Sequence, residues 1–222
     1  MIKYFTIILL VFSGIQLNAQ SASKSLGTND PEAKKVLDAV STKFKSFTTV
    51  KGGFSLEVKD AAGKVQGTKK GTVYMKGVKY RVSITGQEIF CDGKTVWTYD
   101  KAANEVQVAQ FNQNGGSITP QKLFTNFYDK DFLYKLNGEK KVGSKTLQEV
   151  ELTPVDKTKP FFKVVINVDK TTKLINSTQV FEKAGNRYTY SMNNIVTNSA
   201  LADDMFAFDA KKYPGVEVID LR

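Results

Sequence analysis

Histidine is absent from all 222 residues, cysteine and tryptophan occur once each, and proline five times. Each scarcity excludes a class of function. Without histidine there is no Ser-His-Asp or Cys-His arrangement, no imidazole ligand for zinc and no imidazole general base. A single cysteine, Cys91, allows neither a disulfide within the chain nor a multi-cysteine metal site. The chain has no G-x-G-x-x-G after a strand, no Walker sequence and no acidic cluster with calcium-loop spacing. What is present is an ordinary globular balance, 41% hydrophobic and 24% charged, with 15 Phe and 9 Tyr. Such a chain can bury a sizeable aromatic core, and its length suits about one domain.

The N-terminus reads as an address. Met1-Ile2-Lys3 is a short positive region, and Tyr4 to Phe12 is almost wholly apolar. Leu17-Asn18-Ala19 then puts a small residue before a cut at Gln20. This is the plan of a cleavable secretory signal, and the apolar run is too short to span a membrane. The expected organisation is a signal over 1–19, a small polar leader over 20–29 and one domain over 30–222. Cys91 lies far from the cut, so no lipid is attached there. Removing the signal takes one of 32 basic residues and none of the 22 acidic ones, leaving +9. The lysines come as scattered pairs, with no tail and no nucleic-acid motif. They read either as a solvated surface or as a face for anionic headgroups or an acidic partner.

One helix is plainly written. Asp30 can cap it, Pro31 suits its first turn, and Ala33, Val36, Leu37, Val40 and Phe44 make one apolar stripe. After Gly52-Gly53 the period changes to two, with Phe54, Leu56 and Val58 alternating with polar residues. Further strands are expected over 71–76, 79–84, 87–91, 95–99 and 105–111. After a polar loop, a second helix is expected from Thr119-Pro120, carrying Leu123, Phe124 and Phe127 on one side. Strands are then expected over 132–137, 146–153, 161–168, 175–182 and 187–193. The fold class is mainly β with a few helices: about ten or eleven antiparallel strands in one sheet. A sheet that large tends to curl, and the two helices can bury their stripes across its open face.

Catalytic candidates are thin. No S-x-x-K constellation accompanies Ser41 or Ser144, and Asp129, Asp131, Asp203 and Asp204 sit where Asp serves turns. Cys91 reads as a small buried hydrophobe, and Asn176-Ser177-Thr178 is a weak glycosylation match. No cofactor is implied. What stands out is a crowd of aromatics in mid-chain, from Tyr74 and Tyr80 through Trp97 and Tyr99 to Phe132 and Tyr134. They suit a solid core or a ligand cavity under helices.

The segment Cys91-Asp92-Gly93-Lys94-Thr95-Val96-Trp97-Thr98-Tyr99-Asp100 resembles the D-G-K-x-h-W-x-Y-(D/N) hairpin (h, apolar) of the LolA family of periplasmic outer-membrane lipoprotein carriers. Around it, Gly71–Met75, Thr119-Pro120 and Leu152-Thr153-Pro154 fall in family order. The close, Phe206-Ala207-Phe208 with Pro214 to Ile219, is also similar, so the resemblance covers Asp30 to Ile219. It implies an incomplete antiparallel β-barrel with helices lidding an apolar cavity that holds acyl chains. It also implies a periplasmic address and no catalysed reaction. The implied partners are acylated lipoproteins, an inner-membrane ABC-type release complex and an outer-membrane acceptor if one exists; a monomer is expected.

Carried onto this chain, the sheet-side wall falls to Tyr80, Val82, Ile89, Trp97 and Tyr99. The lid side falls to Val36, Leu37, Val40, Leu123, Phe124 and Phe127. Each is equally consistent with plain core packing. The chain departs from the family's R-P-x-x-F-x-W, whose arginine holds the lid closed, by reading Lys76-Gly77-Val78-Lys79-Tyr80-Arg81-Val82. Lys76 lacks the guanidinium fork, so a latch falls to Lys76, to Arg81, or to another device. A different reading of the same fold is an envelope sensor module that binds a membrane protein partner, and a secreted enzyme is a third.

Overall fold

The computed structural model describes residues 29–112 and 128–222. The expected signal and most of the leader, and the expected second helix with Leu123, Phe124 and Phe127, lie outside the described residues.

Helix α1 spans Pro31–Lys45. Its start follows from its sequence: one oxygen of Asp30 accepts the N–H groups of Glu32 and Ala33, while the other accepts the N–H of Leu136 at 3.0 Å. Asp30 N–H also donates to the Tyr134 carbonyl, and Asn29 Oδ1 accepts the Tyr134 N–H. The cap therefore ties the helix to a strand as well as satisfying its free amides.

The strands are β1 (Thr49–Lys59), β2 (Val65–Lys76), β3 (Lys79–Ile84), β4 (Gln87–Cys91), β5 (Thr95–Asp100) and β6 (Glu105–Gln110). After a single turn of helix, α2 (Tyr128–Asp131), come β7 (Phe132–Val142), β8 (Lys145–Pro154), β9 (Phe161–Asp169), β10 (Ile175–Glu182) and β11 (Arg187–Thr197). Two short 3-10 turns (Asp203–Phe206 and Ala210–Lys212) lead to β12 (Glu217–Asp220). All twelve strands form one sheet, in the order β12-β6-β5-β4-β3-β2-β1-β11-β10-β9-β8-β7. Among the described residues β12 and β7 are its two edges, so the sheet is open, as an incomplete barrel requires.

Two expectations need correction. The sheet has twelve strands rather than ten or eleven, because Glu217–Asp220 pairs in parallel with Glu105–Val108. Four residues with one half-buried side chain carry no periodic signal, and Glu217 opposite Glu105 is a pair no sequence rule favours. In addition β1 and β2 are longer than their apolar alternation, since Val65–Lys70 are all exposed.

Residues facing one another across antiparallel strands share a face. The sheet therefore has an inner face, against which α1 packs, and an outer face. Gly71 shows how closely the inner face is filled: a Cβ there would lie 2.5 Å from the Phe54 ring and 2.4 Å from the Ser83 carbonyl. Phe54 can lie across its register partner only because that partner has no side chain.

Candidate functional site

Two apolar clusters line the inner face. Under α1, Ala33, Val36, Leu37 and Val40 pack with Tyr134, Val150, Leu152, Ile166 and Val168 from β7 to β9. On the other half, Val50, Val73, Met75, Tyr80 and Cys91 form a second cluster, with Val82, Ile89, Val96 and Met192 packed against it. Between them runs a mainly apolar crevice lined by Val40, Phe44, Phe47, Val50, Met192, Ile195 and the Lys173-Leu174-Ile175 stretch. Its volume is about 20 Å³, room for about one water molecule.

The chain leaves the second cluster at Phe111, whose ring meets Tyr80 edge-on at 6.5 Å. It re-enters the first at Tyr128, which is buried against Tyr134 and donates its hydroxyl proton to Asp38 of α1 at 2.7 Å. Burial pushes the Asp38 carboxyl up, but the bonds from Tyr128 and Lys34 outweigh it and hold it below its usual value. At the far end of α1, Thr48 N–H donates to Asn198 Oδ1 at 2.9 Å. The helix is thus fastened at both ends by polar contacts and in the middle by apolar ones.

Of the expected wall, Tyr80, Val82 and Ile89 come together on the inner face. Val36, Leu37 and Val40 face the sheet from α1, with Val40 reaching the crevice. Trp97 and Tyr99 do not join them. The registers run Tyr80–Cys91–Val96 and Val82–Ile89–Thr98 on one face, and Arg81–Phe90–Trp97 and Ser83–Glu88–Tyr99 on the other. The parity of β5 therefore puts Val96 and Thr98 inside and both aromatics outside. There Tyr99 packs against Phe208 and Tyr213 of the C-terminal segment.

Lys76 and Arg81 also lie on the outer face. Lys76 Nζ binds Asp203 at 2.9 Å and the Leu201 carbonyl at 3.1 Å, and Lys79 binds the other oxygen of Asp203. Arg81 donates to Glu88 at 2.8 Å, lies 4.7 Å over the Phe90 ring, and shares Glu88 with Lys101. Burial pushes the Glu88 carboxyl up, yet its bonds from Lys101 and Arg81 prevail and lower it. Neither cation bonds to α1, so the expected latch is here a clamp on the C-terminal segment and a sheet-bound ion pair. The turn explains part of the departure: Gly77 has φ +57° at the first position of a two-residue hairpin, which proline cannot adopt.

The inner face also contains residues that the sequence does not mark as part of a site. Met192 and Ile195 of β11 line the crevice. Leu56, Val58 and Tyr188, all half-buried, and exposed Tyr190 continue the face beyond both clusters. Their signal is alternation in β1 and β11, which are separated in sequence by some 130 residues and meet only in the sheet.

Chemistry for catalysis is sparse. Among the described residues no group of three or more His, Cys, Asp or Glu side chains could hold a metal ion. Burial, first of all, pushes the Cys91 thiol up, so it stays protonated and packs as a hydrophobe. No helix among the described residues is long and apolar enough to cross a membrane.

Comparison with known proteins agrees with this geometry. Residues 45–209 match the family described as outer membrane lipoprotein carrier protein LolA. The outer-membrane lipoprotein carrier protein of Haemophilus influenzae (strain Rd) is 32% identical over 188 residues, 84% of this chain and 82% of that protein. The protein of the same name from Cupriavidus necator is 29% identical over 186 residues, 78% of this chain and 85% of that protein. In fold, the chain resembles the crystal structure of an uncharacterized conserved protein from Thermus thermophilus, with a TM-score of 0.57 at 12% identity, covering 85% of this chain and 99% of that one. An open sheet with one apolar face under a helix, matched over most of its length to proteins of one name, places this chain in the LolA family of outer-membrane lipoprotein carrier proteins.

Proposed function

We propose that this protein holds the acyl chains of lipoproteins against the inner face of its sheet and moves them from the inner towards the outer membrane. In this reading it works in the periplasm, after export on residues 1–19, and catalyses no reaction. An ABC-type release complex in the inner membrane loads it, and an acceptor at the outer membrane, where one exists, unloads it. The observation that carries the reading is the inner face itself: two apolar clusters separated by a crevice that α1 bridges rather than fills.

The crevice among the described residues, about 20 Å³, is too small for an acyl chain, and in this reading α1 parts from the sheet to enlarge it. Exposing Val36, Leu37 and Val40 would cost about 1.5–3 kcal/mol each, and each buried methylene returns about 0.8 kcal/mol. Roughly six to eleven methylenes offset the opening. The exchange of one apolar contact for another leaves a moderate net affinity, which suits a carrier that must release its load.

Native mass spectrometry of the protein with a triacylated lipoprotein, and separately with its unacylated form, tests the reading. A one-to-one complex with the acylated form alone supports it. A complex with neither form, or an equal complex with both, overturns it.

A further inference from the structure

The end of the sheet farthest from the C-terminus of α1 is built from three hairpin turns: 60–64 between β1 and β2, 155–160 between β8 and β9, and 183–186 between β10 and β11. They form one continuous rim. Gly185, at φ +96°, lies so close to Ala61 that a Cβ would be 2.6 Å from the Ala61 methyl. Lys183 N–H donates to the Pro160 carbonyl at 2.9 Å, and Lys183 Nζ reaches the Lys157 carbonyl.

Around this rim Lys64, Lys157, Lys159, Lys183 and Arg187 outnumber Asp60, Asp156 and Glu182. These three acids keep their charge but direct it into their own turns. Asp60 accepts from Lys64 N–H and the Gln66 amide, Asp156 from the N–H and hydroxyl of Thr158, and Glu182 from the Asn186 amide. Asp156 feels Lys159 and Lys183 only at longer range. Lys64, Lys157, Lys159 and Lys183 form no ion pair among the described residues. Exposed apolar side chains stand among them: Val65 at 48%, Val155 at 40% and Phe162 at 49% exposure. Phe162 packs on Phe181, whose ring is flanked by Lys163 and Arg187 at 4.5 and 5.8 Å. On the inner side the rim borders Leu56, Tyr188 and Tyr190, the part of the apolar face outside both clusters.

We propose that this rim docks on the surface of a bilayer, Lys64 and Lys159 on anionic phospholipid headgroups and Val65, Val155 and Phe162 in the interfacial layer. Lysines alone would suit any acidic partner. The interleaved apolar side chains favour a bilayer, where cationic heads and short apolar insertions act together. The inference rests on the carrier reading in one respect: docking here would set the Leu56–Tyr188–Tyr190 end of the inner face at the membrane, where an acyl chain enters or leaves.

The experiment is flotation of the purified protein with vesicles of phosphatidylethanolamine and phosphatidylglycerol, and with vesicles of phosphatidylcholine alone. Polyglutamate provides a soluble acidic comparison. The expected result is binding to the anionic vesicles at least tenfold above phosphatidylcholine, weakened by salt. Lys64→Gln and Lys159→Gln should each weaken it about fivefold, and Val65→Asp should weaken it while leaving the thermal midpoint unchanged. Equal binding to both vesicle types, indifference to the lysine variants, or binding to polyglutamate without vesicle binding overturns the proposal. The acylated-lipoprotein complex, measured on the same samples, separates failure of the rim from failure of the carrier reading.

Discussion

The two faces of the central strands are made of similar residues and do different things. On the outer face Phe90 and Tyr99 are covered by Phe208 and Tyr213 from the C-terminal segment, with the Phe208 and Tyr213 rings stacked at 4.6 Å. Charges knit that seal, through Arg81, Glu88 and Lys101 and through Lys76 and Lys79 on Asp203. Among the described residues the inner face is covered by α1, fastened at its ends and laid over apolar side chains that leave a crevice between two clusters. A face closed by chain and charge is structural. A face covered between its polar fastenings by apolar contact can exchange that contact for a ligand.

The largest effect that separates the faces is expected at Phe206, which is wholly buried on the outer side. Phe206→Ala should cost about 3–5 kcal/mol of stability, read by urea unfolding, while the folded fraction still binds acylated lipoprotein. Val82→Asp or Ile89→Asp, at half-buried inner positions, should do the reverse. Lipoprotein binding falls at least tenfold, about 1.4 kcal/mol, whereas Trp97→Ala on the outer face leaves it unchanged. If Trp97→Ala abolished binding and Ile89→Asp did not, the faces would be assigned the wrong way round. Gly71→Ala should cost about 1–3 kcal/mol, because Phe54 and the Ser83 carbonyl must give way.

A smaller effect separates the faces by pH. The folded Glu88 carboxyl titrates below its ordinary value because bonds from Lys101 and Arg81 overcome its burial. Its contribution is present above the ordinary carboxylate range and is lost as pH falls through the lowered value. Thermal melts from pH 7 to pH 3 should show Glu88→Gln less stable near neutrality and converging on the parent at the acid end. A constant gap at every pH would remove Glu88 from the account. The smallest effect is expected at Lys76: Lys76→Ala leaves Asp203 to Lys79 alone on the outer side and should leave lipoprotein binding as it was.

Much of this was legible in the sequence, and the gaps have physical causes. The cap at Asp30 and the stripe through Val40 specify α1, and alternation with turn residues marks eleven strands. Strand β12 was invisible because its place is set by pairing with β6, not by its own pattern. The faces were harder. Trp97 and Tyr99 look like a cavity wall because they are large and aromatic, but parity decides the face, and a one-residue shift moves a side chain through the sheet. Residue type cannot reveal that; register can, once Phe90 is seen opposite Trp97. Met192 and Ile195 were missed because the crevice joins elements distant in sequence. Lys76 and Arg81 could be named as charged, but not their partners, which come from a segment more than 120 residues on for Lys76 and from the next strand for Arg81.

The single tryptophan makes the central claim directly measurable. Trp97 lies on the outer face, so an acyl chain held on the inner face does not touch it. A lipoprotein acylated with brominated chains, whose bromines quench indole on contact, should leave Trp97 fluorescence intact in the native protein. In the Tyr80→Trp, Trp97→Phe variant, which carries its one indole on the inner face, the same ligand should quench strongly. Quenching of Trp97 without quenching at position 80 would place the load on the outer face and contradict the account.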